Sequence, residues 1–502
     1  MVTADHIDPS LRKSPKMTAV DAPPLFSPKS VRLRMALLMM FGLTCTVAIR
    51  SNLGVTVVCM VNSTLVQSPE RWTPNSSDAE QCPAASGKRI EEFGYDGSLP
   101  WDLHTQGLMF TAISIGSFVA LLPAGYCADR YSPRMIISSC IIISALITYA
   151  SPWLAELSIY GFIASRFLLG CAYAFIMPSL TAIASRWFVP DERSTLSAIH
   201  TSGVQIGGVF LGLVTPPLCS FKDIGGWPNV YYLCATLALL WSLLWLCSSS
   251  NFPEQNRSIS DHEQCYISER IVAKRGQKKR MFPWRAAFSS PPFLAVLFAR
   301  VSLITQQYIM TFYAASFIRD VLKSDLRSNG FFTTLPYVAN FIAKLAVSGL
   351  ADLLKQKRVL SHNSSTKLFQ TTANFGNAFC FAALALVADC HHVFLAVVLM
   401  TTQAVFTSCV SPGLHTSALS IAPLHAGSVQ SVTMFVANIF SSAAPTFISA
   451  ILVHNTPDEW SIVFFTIAAM NVFTGVFFAV FGSANAQEWS KPRRTGGVTP
   501  NS

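Results

Sequence analysis

The chain has 502 residues, 51% of them hydrophobic and 12% charged, with a formal net charge of +10. With a mean hydropathy of +0.42, this balance excludes an ordinary soluble domain or a disordered chain and points to a multi-span membrane protein. The positive excess fits basic loops facing anionic lipid; nucleic-acid binding would need a soluble basic face.

Residues 1–34 form a polar, Pro-rich tail, expected to be cytosolic. From Met35 to Val61 the only charged residue is Arg50. A bilayer-spanning helix needs roughly 20 apolar residues, and this run far exceeds the ~7–15 of a cleaved signal. It reads as a signal-anchor helix that stays in the protein. The loop 63–105 carries seven acidic residues against Arg71, Lys88 and Arg89, and glycosylation sequons stand at Asn62 and Asn75. Eleven more stretches without free charge follow, near 106–128, 135–155, 158–185, 194–219, 228–249, 293–318, 331–351, 368–388, 392–415, 426–453 and 461–483. The small residues inside these runs read as packed helices rather than barrel strands.

Twelve transmembrane helices in two six-helix bundles are therefore expected, an all-α membrane protein with bundles at 35–250 and 293–484. The segment 251–292 joins them as a basic, solvated linker, and 485–502 is a second tail. With the N-terminus inside, 25 Lys and Arg fall in inside segments, 7 in outside segments and 4 within spans. The positive-inside rule then puts both tails and the linker in the cytosol, and the loop 63–105 outside. Two further sequons, Asn256 and Asn363, fall inside and stay unmodified.

The thirteen cysteines form no framework. Most lie in spans, where Cys acts as a small apolar residue. Only Cys82 sits in the large outer loop; it would need a partner such as Cys219 or Cys390, and no disulfide is expected. No CxxC, HExxH, GxGxxG or P-loop pattern stands in a supporting context, so no catalytic residue, metal ligand or cofactor site is expected.

A repeat marks the two halves. "PAGYCADRYSPR" follows the second span, with Gly125, Asp129, Arg130 and Arg134. "VSGLADLLKQKR" follows the second span of the other half, with Ser348, Asp352, Lys355 and Arg358. Parallel duplication of six-helix units builds one large transporter class, with substrate bound between the halves near the midplane. Asp129, Arg130, Arg134 and Asp352 are the candidate gating residues, the acids and their basic neighbours latching the inside face.

An arginine at the bilayer centre costs about 2.5–3.5 kcal/mol on the insertion scale and normally faces a cavity or a partner. The spans hold Arg50, Arg166, Arg300 and Lys344 but no Asp or Glu. At 1.5 Å per residue, Arg50 lies roughly 18 Å and Arg166 roughly 12 Å from the outer ends of their helices. Arg300 and Lys344 lie within about 10–12 Å of the inside ends, so snorkelling is the competing account for them. Unpaired guanidinium groups attract carboxylate or phosphate. Asn52 and, in "HTSGVQIGG", His200 add polar groups. His200 is either a packing residue or a group that switches near neutral pH.

Taken together these motifs resemble the anion:cation symporters of the major facilitator superfamily, a group that includes sialin, the vesicular glutamate transporters and the sodium/phosphate cotransporters. The similarity runs through "IRSNLGV", "WDLHTQG" from Trp101, "PAGYCADR", "SRFLLG", "RWFVPDERS", "NGFFTTLPYV", "IAP" at 421–423, and "EWSIVFFTIAA" with "FGSANAQEW" closing at Trp489. It implies alternating access and transport of an organic or inorganic anion driven by sodium, protons or voltage. Arg50 and Arg166 match the family's arginines of the first and fourth spans, which are associated with substrate. This chain departs from the pattern at several positions. Leu169 and Tyr173 replace glutamates common three and seven residues after the Arg166 position. Phe110 replaces a histidine, Leu303 an arginine (with Arg300 one turn earlier), Met434 an asparagine, and "LHTSALS" leaves His415 as its sole titratable group. Glutamate as substrate and carboxylate-based proton coupling are thereby disfavoured.

The reading is a secondary transporter of a small anion, expected as a monomer in lipid, at the plasma membrane or an endosomal, lysosomal or vesicular membrane. The candidate substrate residues are Arg50, Asn52, Arg166, Tyr173, His200 and Arg300, and the only accessory ion is a co-transported sodium or proton. The alternatives are a transport-inactive relative acting as receptor or scaffold, and an uncoupled anion conductance.

Overall fold

The computed structural model describes residues 24–60, 99, 101, 103–220, 226–271, 282–320, 326–387, 392–452 and 456–490. Asn62, Asn75, Cys82 and Cys390 lie outside the described residues, as do most of the loop 63–105 and of both tails.

Helices α1 (Val31–Met60), α2 (Leu103–Arg130), α3 (Pro133–Leu157), α4 (Ile159–Trp187), α5 (Arg193–Thr201), α6 (Gly203–Ser220) and α7 (Pro228–Ser248) make the first half. Two short helices follow, α8 (Asp261–Arg270) and α9 (Trp284–Phe288). The second half holds α10 (Pro291–Asp320), α11 (Leu326–Gln356), α12 (His362–Val387), α13 (Val393–Ser408), α14 (Thr416–Ile421), α15 (Ala426–Ile451) and α16 (Pro457–Phe481). Among the described residues, ten helices are long and apolar enough to cross a membrane, with α5–α6 and α13–α14 each continued as one span. The two further long helices are α12 and α15, 26 residues each. Helix α12 is less apolar because Gln370, Asn374 and Asn377 turn inward and are buried.

Local chemistry sets the ends. Ser132 and Ser158 cap α3 and α4 with side chains that accept from backbone amides of the first turn, and Thr456 and Glu459 form a capping box on α16. Proline starts α3, α7 and α16, where its missing N–H costs nothing. Glycine is required where α2 crosses α4: a side chain on Gly116 would strike the Phe167 carbonyl, and one on Gly170 the Ile113 carbonyl. The two backbones touch there.

Three expectations need correction. The fifth span bends at Ser202, between α5 and α6, and the tenth continues past a π turn at Ser411–His415 to Ile421. The amide of Leu414, beside Pro412 in that turn, donates to Gln370 Oε1 at 2.9 Å, so a side chain of α12 satisfies the broken stretch. The linker is not simply a solvated loop, because Glu263, Tyr266 and Ile267 of α8 are buried on the first half. Glu263 accepts from the amides of Val31 and Arg32, both at 3.1 Å, and from Arg32 Nε at 2.9 Å. A buried carboxylate thus caps the start of α1, which is why that helix begins four residues before the first apolar run. Finally, where no disulfide is expected, Cys219 is bonded to Cys59. The first and fifth spans end side by side, with these Cα atoms 6.1 Å apart.

Candidate substrate site and gate

The face bearing Val31, α8 and Ser490 is here called the linker face, and the opposite one the far face. Arg50 sits on α1 toward the far face with its side chain exposed. Its guanidinium carbon lies 4.2 Å from the Tyr173 ring centroid. Thr46, Ser144 and Tyr173 line a cavity with it, among Ile49, Ile141, Leu169 and Ile176. No carboxylate among the described residues forms an ion pair with Arg50. Of the two departures from the family pattern, Tyr173 is the ring on which this guanidinium rests, and Leu169 lines the same cavity.

The other candidates are distributed differently. Arg166 is fully buried inside the first half, where it donates to Ser151 Oγ and stacks on Phe162 and Tyr231, 4.5 and 5.6 Å from their centroids. Its Nε and Nη1 have no hydrogen-bond partner among the described residues. It does not line the Arg50 cavity. Asn52 is also fully buried; its Oδ1 accepts from the Leu53 amide at 2.7 Å, and its Nδ2 has no hydrogen-bond partner among the described residues. His200 is buried far from Arg50, its Nδ1 3.4 Å from the Leu196 carbonyl and its ring against Phe188. Arg300 and Lys344 do not snorkel: both are buried, and both meet glutamines, Arg300 Nη2 donating to Gln430 Oε1 at 3.0 Å and Lys344 Nζ to Gln205 Oε1 at 3.3 Å.

The linker face is closed by a reciprocal pair. Asp129, at the end of α2, accepts from the amides of Gly427 and Ser428 at 3.0 and 2.8 Å, the start of α15. Asp352, near the end of α11, accepts from the amides of Ser194 and Thr195 at 3.3 and 2.6 Å, the start of α5. Each half places a carboxylate on the positive end of a helix in the other. Gly125 permits the approach, since a side chain there would meet Ser431. Lys355 Nζ joins Asp352 at 2.5 Å and Ser194 Oγ at 2.9 Å, and Arg193 Nη1 crosses to Ser420 Oγ at 2.7 Å. Of the other gating candidates, Arg134 stays within the first half, its amide on Asn251 Oδ1 at 3.0 Å and its guanidinium on the Leu246 carbonyl. Arg130 is exposed at the end of α2.

Glu192, in the turn before α5, stands in the "RWFVPDERS" motif but has no role assigned from sequence. It pairs with Arg32, which also binds Glu263. Burial pushes the Glu192 carboxyl up to about 7, against the pull of Arg32. Its acidic position within "PDERS" was the only available signal.

The sequence signature of the Major Facilitator Superfamily matches residues 38–373. The chain belongs to the major facilitator superfamily. Among similar superfamily members, an uncharacterized transporter of Caenorhabditis elegans is 29% identical over 488 residues, covering 93% of this chain and 91% of that one. Human sialin is 28% identical, covering 92% and 91%. Mouse sodium-dependent phosphate transport protein 3 is 26% identical, covering 92% and 96%. The superfamily fold is shared with the proton:xylose symporter XylE at a TM-score of 0.65 and 14% identity, over 91% of this chain and 98% of that one. A bacterial homologue of the iron transporter ferroportin shares it at 0.61 and 12% identity, over 89% and 99%.

Proposed function

We propose that this transporter moves a small oxyanion, carboxylate or phosphate, by alternating access, with Arg50 as its recognition cation and the linker face in the cytosol. The observation that carries this reading is Arg50 itself. It is an exposed guanidinium in a cavity within a membrane span, held by a ring face, with no acid in an ion pair with it among the described residues. Its N–H fork is open to a bidentate partner. Relatives named for phosphate transport, and sialin, support an anionic substrate. The Asp129 and Asp352 contacts close one face while Arg50, placed toward the other, keeps an exposed side chain, in keeping with one end state of alternation. The wall of the site is Tyr173 rather than a carboxylate, which favours drive by sodium or voltage over proton coupling. The reading takes the protein as a monomer whose halves rock about the interface.

The test is uptake into proteoliposomes by Arg50→Gln and Arg50→Lys, with membrane insertion measured alongside. A charged hydrogen bond is worth about 1.5–3 kcal/mol, so Arg50→Gln is expected to weaken apparent affinity roughly 10–150-fold while still folding. Arg50→Lys keeps the charge, loses the fork and is expected to fall between. A purely structural arginine gives the reverse: poor insertion, with normal uptake by whatever matures.

A further inference from the structure

The interface between the halves holds a second set of basic groups that the Arg50 cavity does not use. His200 of α5, Arg300 of α10, Lys344 of α11 and His415 of the π turn come from four spans, one in the first half and three in the second. The π turn bearing His415 packs against α5, α10 and α11, and α11 packs against α5, so the four stand where these elements meet, with Arg300, Lys344 and His200 within electrostatic reach of His415. Around them the described residues place amides, not acids. Gln430 accepts from Arg300. Gln205 accepts from Lys344 and donates to Asn340 Oδ1 at 3.0 Å. None of the four forms an ion pair among the described residues, and Arg300 Nε and His415 Nδ1 are buried without a hydrogen-bond partner.

Their depth follows from the helix contacts. Side chains added at Gly203 and Gly207 would meet the Met40 and Thr44 carbonyls, so α1 and the fifth span run level and in the same direction. His200 and Gln205 then lie roughly 12–20 Å closer to the linker face than Arg50, at 1.5 Å per residue. Asp352 of the gate lies eight residues beyond Lys344, roughly 12 Å farther on. The cluster stands between the cavity and the gate.

Burying a fixed cation without a counter-charge costs several kcal/mol, and apolar residues of similar size would fill the same space without that cost. A glutamine carbonyl compensates only part of it. An anion compensates far more, and a side-chain amide that turns about its last bond offers N–H where it had offered oxygen. The Gln205–Lys344 and Gln205–Asn340 bonds cross between the halves, so opening the linker face must break them and bare Lys344 beside Arg300.

We infer that His200, Arg300, Lys344 and His415 form a second anion station, which receives the transported carboxylate or phosphate between Arg50 and the linker-face gate. This rests on the anion reading of Arg50, and the experiment separates the two. Labelled inorganic phosphate and labelled N-acetylneuraminate are presented in turn to each face of full-length protein in oriented vesicles. The double variant Arg300→Gln, Lys344→Gln is expected to keep the apparent affinity for entry from the far face. Its affinity for entry from the linker face should drop about tenfold or more, the scale of one or more lost charged hydrogen bonds. Arg50→Gln is expected to do the opposite. The charge-keeping double variant Arg300→Lys, Lys344→Arg, expected to retain most linker-face affinity, reports on folding. Equal losses at both faces, or none at either, overturn the second station. Far-face affinity unchanged in Arg50→Gln, or no flux of either probe by the unaltered chain, overturns the Arg50 reading and the station with it.

Discussion

At the residue scale, the pairing that decides the chemistry is Arg50 on Tyr173. A ring face attracts a guanidinium by roughly 0.5–2 kcal/mol and leaves its N–H groups free, whereas a carboxylate in the same place would occupy them. On the proposed reading the substrate meets a cation that is positioned but, among the described residues, not paired. Tyr173→Phe keeps the face and is expected to keep near-normal affinity. Tyr173→Leu loses it, and the released arginine is expected to cost roughly 2–30-fold in apparent affinity. Tyr173→Glu is the sharper probe, because it supplies Arg50 with an internal competitor. Uptake should be suppressed at neutral pH and recover as the medium is acidified and the new carboxyl takes a proton. Normal uptake with an unchanged pH profile in Tyr173→Glu would show that the ring does not set the state of Arg50. Arg50 was legible in the sequence because a single charge in a long apolar run is visible without coordinates. That Arg166 turns into the first half, against Ser151 and Tyr231, was not, because its depth is fixed by spacing but its neighbours are fixed by packing.

At the scale of elements, the repeated motif was readable as a repeat, yet its physical role lies in partners the motif does not contain. Asp129 and Asp352 answer helix-start amides of the opposite half, and amide positions depend on where α5 and α15 begin. The linker helix was hidden for a related reason: Glu263 reads as one charge in a charged stretch until the start of α1 lies beside it. Hydropathy and length recover ten spans among the described residues, and α12 and α15 bring the long helices to twelve, while the π turn and the bend at Ser202 are local backbone choices below the resolution of hydropathy. The reciprocal gate makes a cooperative prediction. If the halves move as rigid bodies, Asp352→Asn should speed amide exchange at Ser194 and Thr195 and also at Gly427 and Ser428, by roughly tenfold or more at each. Asp129→Asn should give the same pattern. Exchange that rises only at the pair belonging to the altered carboxylate would show two independent latches rather than one gate.

At the scale of the whole molecule, charge and topology have to agree. Val31, α8, α9 and the start of α10 share the linker face, and the proposed reading, following the positive-inside rule, puts that face in the cytosol. Helix α1 ends at Met60 on the opposite side and α2 begins there at Leu103; on that reading Asn62 and Asn75, which lie between them in the sequence, are the expected glycan sites. The two remaining sequons are on the linker face, with side chains already engaged. Asn256 Oδ1 accepts from the Ser258 amide at 2.9 Å, and Asn363 Oδ1 from the Ala484 amide at 3.0 Å. Glycosidase treatment of the protein from eukaryotic cells is therefore expected to lower its mass, and Asn75→Gln should remove most or all of that shift. Asn256→Gln and Asn363→Gln should leave it intact, although Asn363→Gln gives up a tie between α12 and the segment after α16. A shift that persists without Asn62 and Asn75 and vanishes without Asn363 would turn the molecule over. Arg50 would then open to the cytosol and the Asp129–Asp352 gate would close the outer face, with the direction of anion entry reversed.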